Sequence, residues 1–516
     1  MKKILIISFV VALTGCSKDY LDRRSLTQLG EASFWKTEQD ATLAINGIYD
    51  VLQDRVLYSG NLNGTAGLTQ YDCFGDNALN GFKFEGPGNF MEANIDPSHS
   101  FFNSVWTSLY KGIGRANAAL ENIEKMPSTV ISDSKKKNLL GQALFLRSLF
   151  YSHLAIYFQD APLILKVQKL EEAYVPKNTY LEISTQVIKD LKSAADMLPP
   201  SYPPEQYGYA TKGAALGLLA RFLLYNKDYQ AVLDTTTPLL TSGYSLNTSY
   251  PQLFTEQGEF SKEILFSVRF NQDVSANTEL FSGTFLNAPK VDQQPLPNLV
   301  KDYYCTDGKP ITTSPLYNSN NQKLNRDPRL TSSIYFKGDT FLVDLKTTFK
   351  GSGTSNSTNY GQKKYIRNAA STTGIAVFSP GGQDYIVIRY ADILLMRAEA
   401  MVELNQLAGV YALVNQVRGR PGVNMPSVET AEGMGLSQAS LRDIVRHERR
   451  VELAFEGLRF YDLKRWGTVE EAFQRLTVDN IAGYNKTYRG EKSKIFPIPT
   501  SELIANAKLV QNPVWQ

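Results

Sequence analysis

Pairs of amphipathic segments joined by short polar turns are the feature that most restricts how this chain can fold. Residues 211–226 carry small and apolar side chains at helical spacing, residues 226–228 predict a turn, and residues 228–241 resume the helical pattern. The same arrangement returns in residues 386–404 and 408–419. Such pairs are typical of tetratricopeptide-like units, which stack to bury a shared core. We therefore predict an all-α protein, built as a superhelix of irregular tetratricopeptide-like units.

Two long segments with little helical pattern interrupt these units. Further helices are predicted at residues 37–53, 104–123, 136–158, 179–198, 438–456 and 468–475. The first interruption is an insertion at 58–103 inside an N-terminal helical region that spans 34–241. The second is the loop-rich part, 242–380, of a C-terminal region that spans 242–516 and is helical over 386–475. A few short strands are expected there, among them the run 263–270. Rigid helices that present long loops are typical of a binding protein.

The N-terminus has the pattern of a bacterial lipoprotein signal. Two lysines precede an apolar run over residues 4–13, too short to span a bilayer, and Leu-Thr-Gly-Cys follows at residues 13–16. We expect residues 1–15 to be a signal peptide, Cys16 to be lipidated, and residues 16–33 to be a tether. A plain secretory signal followed by a chance cysteine is the alternative.

The composition excludes several classes of function. The 54 basic and 51 acidic residues are nearly balanced, whereas nucleic-acid binders concentrate basic charge. Three scattered histidines make a zinc site improbable, and neither a metal nor a cofactor is predicted. Besides Cys16 there are only Cys73 and Cys305, and the sequence leaves open whether they pair. No hydrolase or nucleotide-binding motif is present, but glycoside hydrolysis needs only two carboxylates, so that alternative stays open.

The most highly charged run, HERRVELAFEGLRFYDLKRWG at residues 447–467, resembles an active site but is predicted to be structural. Glu448 falls within the apolar stripe of its helix, where a carboxylate is costly to bury unless an arginine holds it. Gly457 is expected to end the helix in a left-handed turn. A buried ion-pair cluster is therefore predicted, with the structural residues Glu448, Arg449, Gly457, Arg459, Asp462 and Trp466.

Four ordered motifs carry a resemblance to a known family. The run 448–467 is similar to the C-terminal motif of the SusD/RagB family, which comprises outer-membrane nutrient-binding lipoproteins of Bacteroidetes. Three further motifs of that family have counterparts here, in the same order along the chain. They are the Asp-Tyr and Asp-Gly pairs within 302–308, NRDPRL (325–330) and IRYADILLMRAEA (388–400).

The resemblance implies a binding protein rather than an enzyme. Family members capture oligosaccharides or peptides at the cell surface and act with a SusC-type TonB-dependent transporter. We expect a surface-exposed outer-membrane lipoprotein that binds starch-, fructan- or host-glycan-like oligosaccharides. A peptide-binding member, a surface glycoside hydrolase and a purely structural scaffold are the alternatives.

Aromatic and polar loop residues are the candidate ligand contacts. Sugar rings present apolar faces that stack on aromatic side chains, and their hydroxyl groups pair with Asp, Asn and Arg. The four tryptophans lie in framework positions or at the terminus, so tyrosine and phenylalanine are expected to supply the stacking surface. Residue type and region, rather than any motif, nominate Tyr71, Asp72, Phe74, Asp76, Asn77, Phe82, Phe84, Tyr303, Tyr304, Tyr317, Tyr365, Arg367 and Tyr385.

Overall fold

The computed structural model describes residues 34–60, 67–81, 90–91, 96–274, 277–282, 293–340, 348–349, 351, 358–366, 381–479, 481 and 487–516. The predicted signal peptide, Cys16 and the predicted tether lie outside the described residues, as do Phe82, Phe84 and Arg367.

Successive helices build the N-terminal half. They are α1 (Glu38–Leu52), α2 (Ser100–Lys125), α3 (Asp133–Phe158), α4 (Tyr180–Met197), α5 (Lys212–Tyr225) and α6 (Tyr229–Thr236). Side-chain caps fix several of their starts: Thr37 and Thr179 form capping boxes, and the Thr211 hydroxyl accepts a hydrogen bond from the backbone N–H of Ala214. Such caps satisfy backbone donors that the first turn leaves free.

The C-terminal half holds shorter helices. They are α7 (Pro297–Asp302), α8 (Pro328–Ser333), α9 (Tyr390–Glu403), α10 (Ala408–Arg418), α11 (Val428–Ala431), α12 (Gln438–Glu452), α13 (Arg459–Trp466), α14 (Val469–Asp479) and α15 (Thr500–Ala505). Several predicted helix boundaries differ from the observed ones, and two of these differences concern α9 and α12. Residues 386–389 belong to a strand rather than to α9, and α12 ends at Glu452 instead of continuing to residue 456.

Each long helix packs on the next, which gives the stacked arrangement predicted from the sequence. From α1 to α6 every helix contacts its successor, α6 contacts α9, and α9 contacts both α10 and α12. One hydrophobic core runs through all of these helices. The mostly helical class is confirmed, with short strands as the minor component.

Short antiparallel strand pairs join distant parts of the chain. The strands are β1 (Ala78–Asn80), β2 (Ile264–Val268), β3 (Gln293–Pro295), β4 (Ile334–Phe336), β5 (Tyr360–Gln362) and β6 (Tyr385–Arg389). β1 pairs with β3, β2 with β6, and β4 with β5. The pairing of β2 with β6 places the predicted strand run 263–270 beside the start of α9, because Ile264 lies opposite Arg389.

Helix α3 is the central element of the core. Among the described residues it is the one helix that is long and apolar enough, by length and composition, to cross a membrane. However, 89% of its most apolar 18-residue stretch is buried inside the protein. Core helices of globular proteins have this same composition.

Candidate functional site

Residues 67–80 of the first insertion lie inside the protein. Tyr71 and Phe74 are buried and belong to an aromatic cluster with Tyr157, Phe460 and Phe496. The ring centroids of Tyr71 and Tyr157 are 4.6 Å apart, and those of Phe74 and Phe496 are 5.1 Å apart. These two candidate ligand contacts are therefore core residues in this structure, because their rings are enclosed by other rings.

The polar candidates of the same segment are buried as well, and each has a protein partner. Asp72 accepts hydrogen bonds from the Asn77 side chain at 2.7 Å and from the backbone N–H of Gly457 at 2.8 Å. Burial raises the pKa of Asp72. Asp76 pairs with arginines, and Asn77 accepts a hydrogen bond from Arg450 at 3.0 Å. Their hydrogen-bonding capacity is directed toward the fold rather than toward solvent.

The candidates of the C-terminal half fall into two groups. Tyr303, Tyr365 and Tyr385 are buried, and Tyr365 stacks on Tyr385 with ring centroids 4.9 Å apart. Tyr304 and Tyr317 are partly exposed. Tyr304 stacks on His447 at 3.7 Å, and the guanidinium of Arg326 lies 5.6 Å from the centre of the Tyr317 ring. Among the described candidates, these two rings keep accessible surface.

The two remaining cysteines are structural. Cys73 and Cys305 are both buried, and no disulfide joins them. The Cys73 thiol donates to the side-chain oxygen of Gln293, with sulfur and oxygen 3.6 Å apart.

The charged run 447–467 forms a buried ion-pair cluster. Glu448 accepts from Arg329 at 2.5 Å and from Arg418 at 2.7 Å, so two arginines from other elements hold the predicted buried carboxylate. Coulombic attraction to these arginines lowers the pKa of Glu448 against the opposing effect of burial. The buried members of the cluster are five acidic residues (Glu263, Asp327, Glu448, Glu452, Glu456) and five basic ones (Arg329, Lys364, Arg389, Arg418, Arg420). The partly exposed Glu432 also pairs with Arg418, at 3.5 Å.

The other structural residues of the run complete a second set of buried pairs. Arg449 bonds to Asp392 at 2.5 Å and to Asp462 at 2.8 Å. Arg465 contacts Asp462 at 2.9 Å and also pairs with Glu399, which accepts from the indole N–H of Trp466 at 2.7 Å. These contacts use the charges within the fold and leave no exposed acid–base pair in this set.

An aromatic groove lies elsewhere, between the α4–α5 loop and strand β2. We define the tyrosine groove as the depression lined by Tyr49, Tyr202, Tyr207, Tyr209, Tyr244, Phe260 and Arg269. It has two adjoining lobes of about 260 and 370 Å³, which share Tyr207, Tyr209 and Ser267. Serine, asparagine and glutamine side chains, including Ser261, Asn46 and Gln53, supply polar groups along it.

Neighbouring groups hold the rings of the groove in place. Tyr209 donates to Asn46 at 2.7 Å, and its ring packs against Tyr49 at 5.5 Å and against Tyr202 at 5.7 Å. The Tyr49 hydroxyl accepts from the backbone N–H of Ala210 at 2.8 Å, which fixes the loop. The groove therefore has an ordered aromatic wall, which is an arrangement suited to a ligand with apolar faces and hydroxyl groups.

Phe260 and Tyr207 form the most accessible part of this wall. Phe260 is 62% exposed, and its ring centroid lies 4.8 Å from that of Tyr207. The Arg269 guanidinium lies 5.1 Å from the Phe260 ring and 5.2 Å from the Tyr207 ring. Cation–π contacts of this kind fix the orientation of both rings.

Two carboxylates behind the groove anchor Arg269. Its guanidinium contacts Asp384 at 2.9 Å and Glu259 at 3.8 Å. Burial and the neighbouring Asp384 raise the pKa of Glu259 to about 8, and burial raises the pKa of Asp384 to about 6. Both carboxylates also accept backbone hydrogen bonds, Glu259 from Asp384 and Asp384 from Phe270, so they serve to position the strands.

The sequence predictions did not include this groove, although a signal for it exists. The α4–α5 loop reads SYPPEQYGY over residues 201–209, with three tyrosines in a proline-containing turn between two helices. Aromatic rings in a short exposed turn are themselves an indication of a binding surface. Among the described residues, no group of three or more His, Cys, Asp or Glu side chains is placed to hold a metal ion.

Comparisons with known proteins agree with the motifs. A family model described as the SusD family matches residues 262–515, and one described as starch-binding associating with outer membrane matches residues 19–224. SusD-like protein P25 of Formosa agariphila is 26% identical over 535 residues, covering 99% of this chain and 98% of that protein.

Solved structures share the fold over nearly the whole chain. A SusD-like carbohydrate binding protein from Bacteroides fragilis has a TM-score of 0.81 at 28% identity, covering 93% of this chain and 100% of that one. A laminarin binding SusD-like protein has a TM-score of 0.73 at 25% identity, covering 93% of this chain and 99% of that one. With two family models spanning both halves and a shared fold, this chain belongs to the SusD/RagB family.

Proposed function

We propose that this protein is a non-catalytic lipoprotein on the outer surface of the outer membrane. It captures oligosaccharides and passes them to a SusC-type TonB-dependent transporter. The observation that carries the sugar-binding part is the tyrosine groove, whose wall combines one exposed and several partly exposed rings with neutral polar groups. Structural relatives described as carbohydrate binding and laminarin binding support the same class of ligand.

Binding measurements on single-ring variants test this assignment. Isothermal titration of the protein against starch-, fructan-, laminarin- and host-glycan-derived oligosaccharides identifies the ligand. We expect Tyr207→Ala and Phe260→Ala each to weaken binding of that ligand about tenfold, since burying one aromatic side chain contributes on the order of 1.5–3 kcal/mol.

Tyr174→Ala is the matched control, because Tyr174 is a 51% exposed ring that is not among the groove-lining residues. Its affinity for the sugar is expected to equal that of the unmodified protein. If the groove variants bind the sugar as tightly as the unmodified protein does, the sugar-binding site lies on another surface. The proposed contacts Tyr304, Tyr317, Phe82, Phe84 and Arg367 are the next to be substituted in that case.

The competing functions give different results in the same set of assays. A peptide-binding member would bind a peptide mixture and none of the sugars. A surface glycoside hydrolase would release reducing ends from a polysaccharide, and substitution of one carboxylate would abolish that release. A structural scaffold would bind neither ligand. The transporter partner is tested by affinity purification from outer membranes solubilised in detergent, where a SusC-type protein should be retained.

A further inference from the structure

A second cleft, separate from the tyrosine groove, opens between helices α12, α13 and α14. It has a volume of about 370 Å³. Its lining includes four arginines, one histidine, three acidic residues and one tryptophan. These are Arg446, Arg450, Arg459, Arg475, His447, Asp302, Asp443, Glu471 and Trp466. We call it the arginine cleft.

The inner part of the arginine cleft has more positive than negative charge. Arg450, Arg459 and Arg475 all converge on the single buried carboxylate of Asp76, at 3.3, 2.7 and 2.6 Å. Asp302 provides the other inner carboxylate and contacts Arg450 at 3.0 Å.

Arg446 adds a guanidinium whose hydrogen-bond donors are not all used within the fold. Its Nε atom is buried and has no hydrogen-bond partner in the described part of the chain. The guanidinium lies 4.8 Å from the centre of the Trp466 ring, which holds it at the wall of the cleft. A buried donor without an acceptor costs free energy unless a ligand or water supplies the acceptor.

Arg475 completes the set from helix α14. Its side chain is 37% exposed, and its Nε atom binds Asp76. A guanidinium has five N–H donors in a planar fork, and Asp76 occupies only part of that fork. The remaining donors of Arg475 are therefore available to a second acceptor on the solvent side.

We propose that the arginine cleft is a binding site for an oxyanion, held by Arg446 and Arg475 and supported by the positive charge of Arg450 and Arg459. Guanidinium forks bind sulfate, phosphate and carboxylate groups through paired N–H donors. The anion is either free in solution or carried by a larger molecule as a sulfate ester or a carboxylate. This site does not depend on sugar binding in the tyrosine groove.

The first test uses sodium sulfate alone, at ionic strength held constant with sodium chloride. We expect sulfate to raise the Tm of the protein saturably at low millimolar concentration. The double variant Arg446→Gln/Arg475→Gln should weaken the apparent affinity for sulfate at least about tenfold, because two charge-assisted contacts are lost. Asp76 keeps Arg450 and Arg459 in this variant, so the fold is retained, and the Tm in chloride verifies this.

Arg442→Gln is the matched control, since Arg442 lies one turn earlier on α12 and pairs with Glu403 outside the cleft. Asp443→Asn/Glu471→Gln removes two exposed acids from the cleft and should tighten sulfate binding. A sulfate effect that does not saturate, is unchanged in the double variant, or is weakened by removing the acids would overturn the proposal.

A second titration identifies the source of the anion. A sulfated oligosaccharide, its desulfated counterpart and a uronic-acid oligosaccharide are compared with free sulfate. Tighter binding of the sulfated or uronic sugar than of free sulfate assigns the cleft to a charged glycan, whereas equal affinity assigns it to the free anion. In both cases the Arg446→Gln/Arg475→Gln variant must lose the binding.

Discussion

A single carboxylate at position 448 holds arginines from two different elements. Replacing Glu448 with Ala leaves Arg329 and Arg418 each without one buried partner, so we expect the free energy of unfolding to fall by about 3–5 kcal/mol. Urea unfolding measures this loss. Affinity for the sugar should stay unchanged in the folded protein, because Glu448 lies in the core.

Glu124→Ala provides the comparison, since Glu124 is an exposed residue on α2. Its free energy of unfolding should match that of the unmodified protein. Normal stability combined with lost sugar binding in the Glu448 variant would instead identify this cluster as a ligand site.

The raised pKa of Glu259 predicts how stability changes with pH. The folded protein holds a proton on Glu259 up to about pH 8, whereas the unfolded chain releases it near pH 4.5. Because the folded state binds more protons between these values, this group contributes less to stability as pH rises from about 5 to 8. Glu259→Gln keeps the uncharged form, so its Tm relative to the unmodified protein should increase steadily across this range.

The exposed Glu171 is the control for this pH series, because it has an open environment on the surface. Glu171→Gln shows how much replacing a carboxylate by an amide at an exposed position changes the Tm over the same series. A pH-independent difference for Glu259→Gln would show that this carboxyl group is ionised in the fold.

At the level of elements, the turn after α12 depends on Gly457. This residue has φ +72°, and a Cβ atom there would lie 3.1 Å from the backbone oxygen of Leu68. Gly467 ends α13 with φ +75° and has open space around it. Gly457→Ala should therefore lower the free energy of unfolding by more than Gly467→Ala, which loses only the backbone contribution of about 1–2 kcal/mol. Equal losses in chemical denaturation would mean that the contact with Leu68 relaxes freely.

The helical elements could be predicted because their patterns are local. Helices α1 to α6 follow from apolar spacing and capping residues. The helix predicted over residues 386–389 is wrong because the apolar run of β6 continues into α9, and its pairing with the remote β2 leaves no local signal. Helix α13 was missed because its eight residues carry mostly charged and aromatic side chains that belong to the buried clusters.

The candidate site was harder to predict than the helices. Tyr71 and Phe74 lie in a loop-like sequence, and only the packing of α3, α13 and Phe496 around them makes them core residues. The tyrosine groove joins the α4–α5 loop to residues about 60 positions further along the chain, including Phe260 and Arg269. Burial of the Glu448 carboxylate was predictable from its helix face, but its partners Arg329 and Arg418 were not.

For the molecule as a whole, membrane attachment is predicted to depend on Cys16. Cys16→Ser removes the thiol that would carry the lipid, so the protein should move from the outer-membrane fraction to a soluble fraction. Immunoblotting of cell fractions measures the shift, and metabolic labelling with a fatty acid reports the loss of lipid. An unchanged distribution of the Cys16→Ser variant would favour a secretory signal with a chance cysteine.

The buried ion pairs also determine when the chain can fold. Arg329, Arg389 and Arg418 pair with carboxylates within residues 448–456 in addition to partners that precede residue 448. Asp76 pairs with three arginines within residues 449–475. Residues 448–475 thus supply partners for charges that earlier parts of the chain bury, and breaking a buried ion pair by removing one partner is strongly unfavourable. We expect a chain that ends at residue 447 to be digested rapidly by proteases, while the full chain resists. Folding would then wait until the last residues of the chain have been synthesised, so that incomplete chains are left open to degradation.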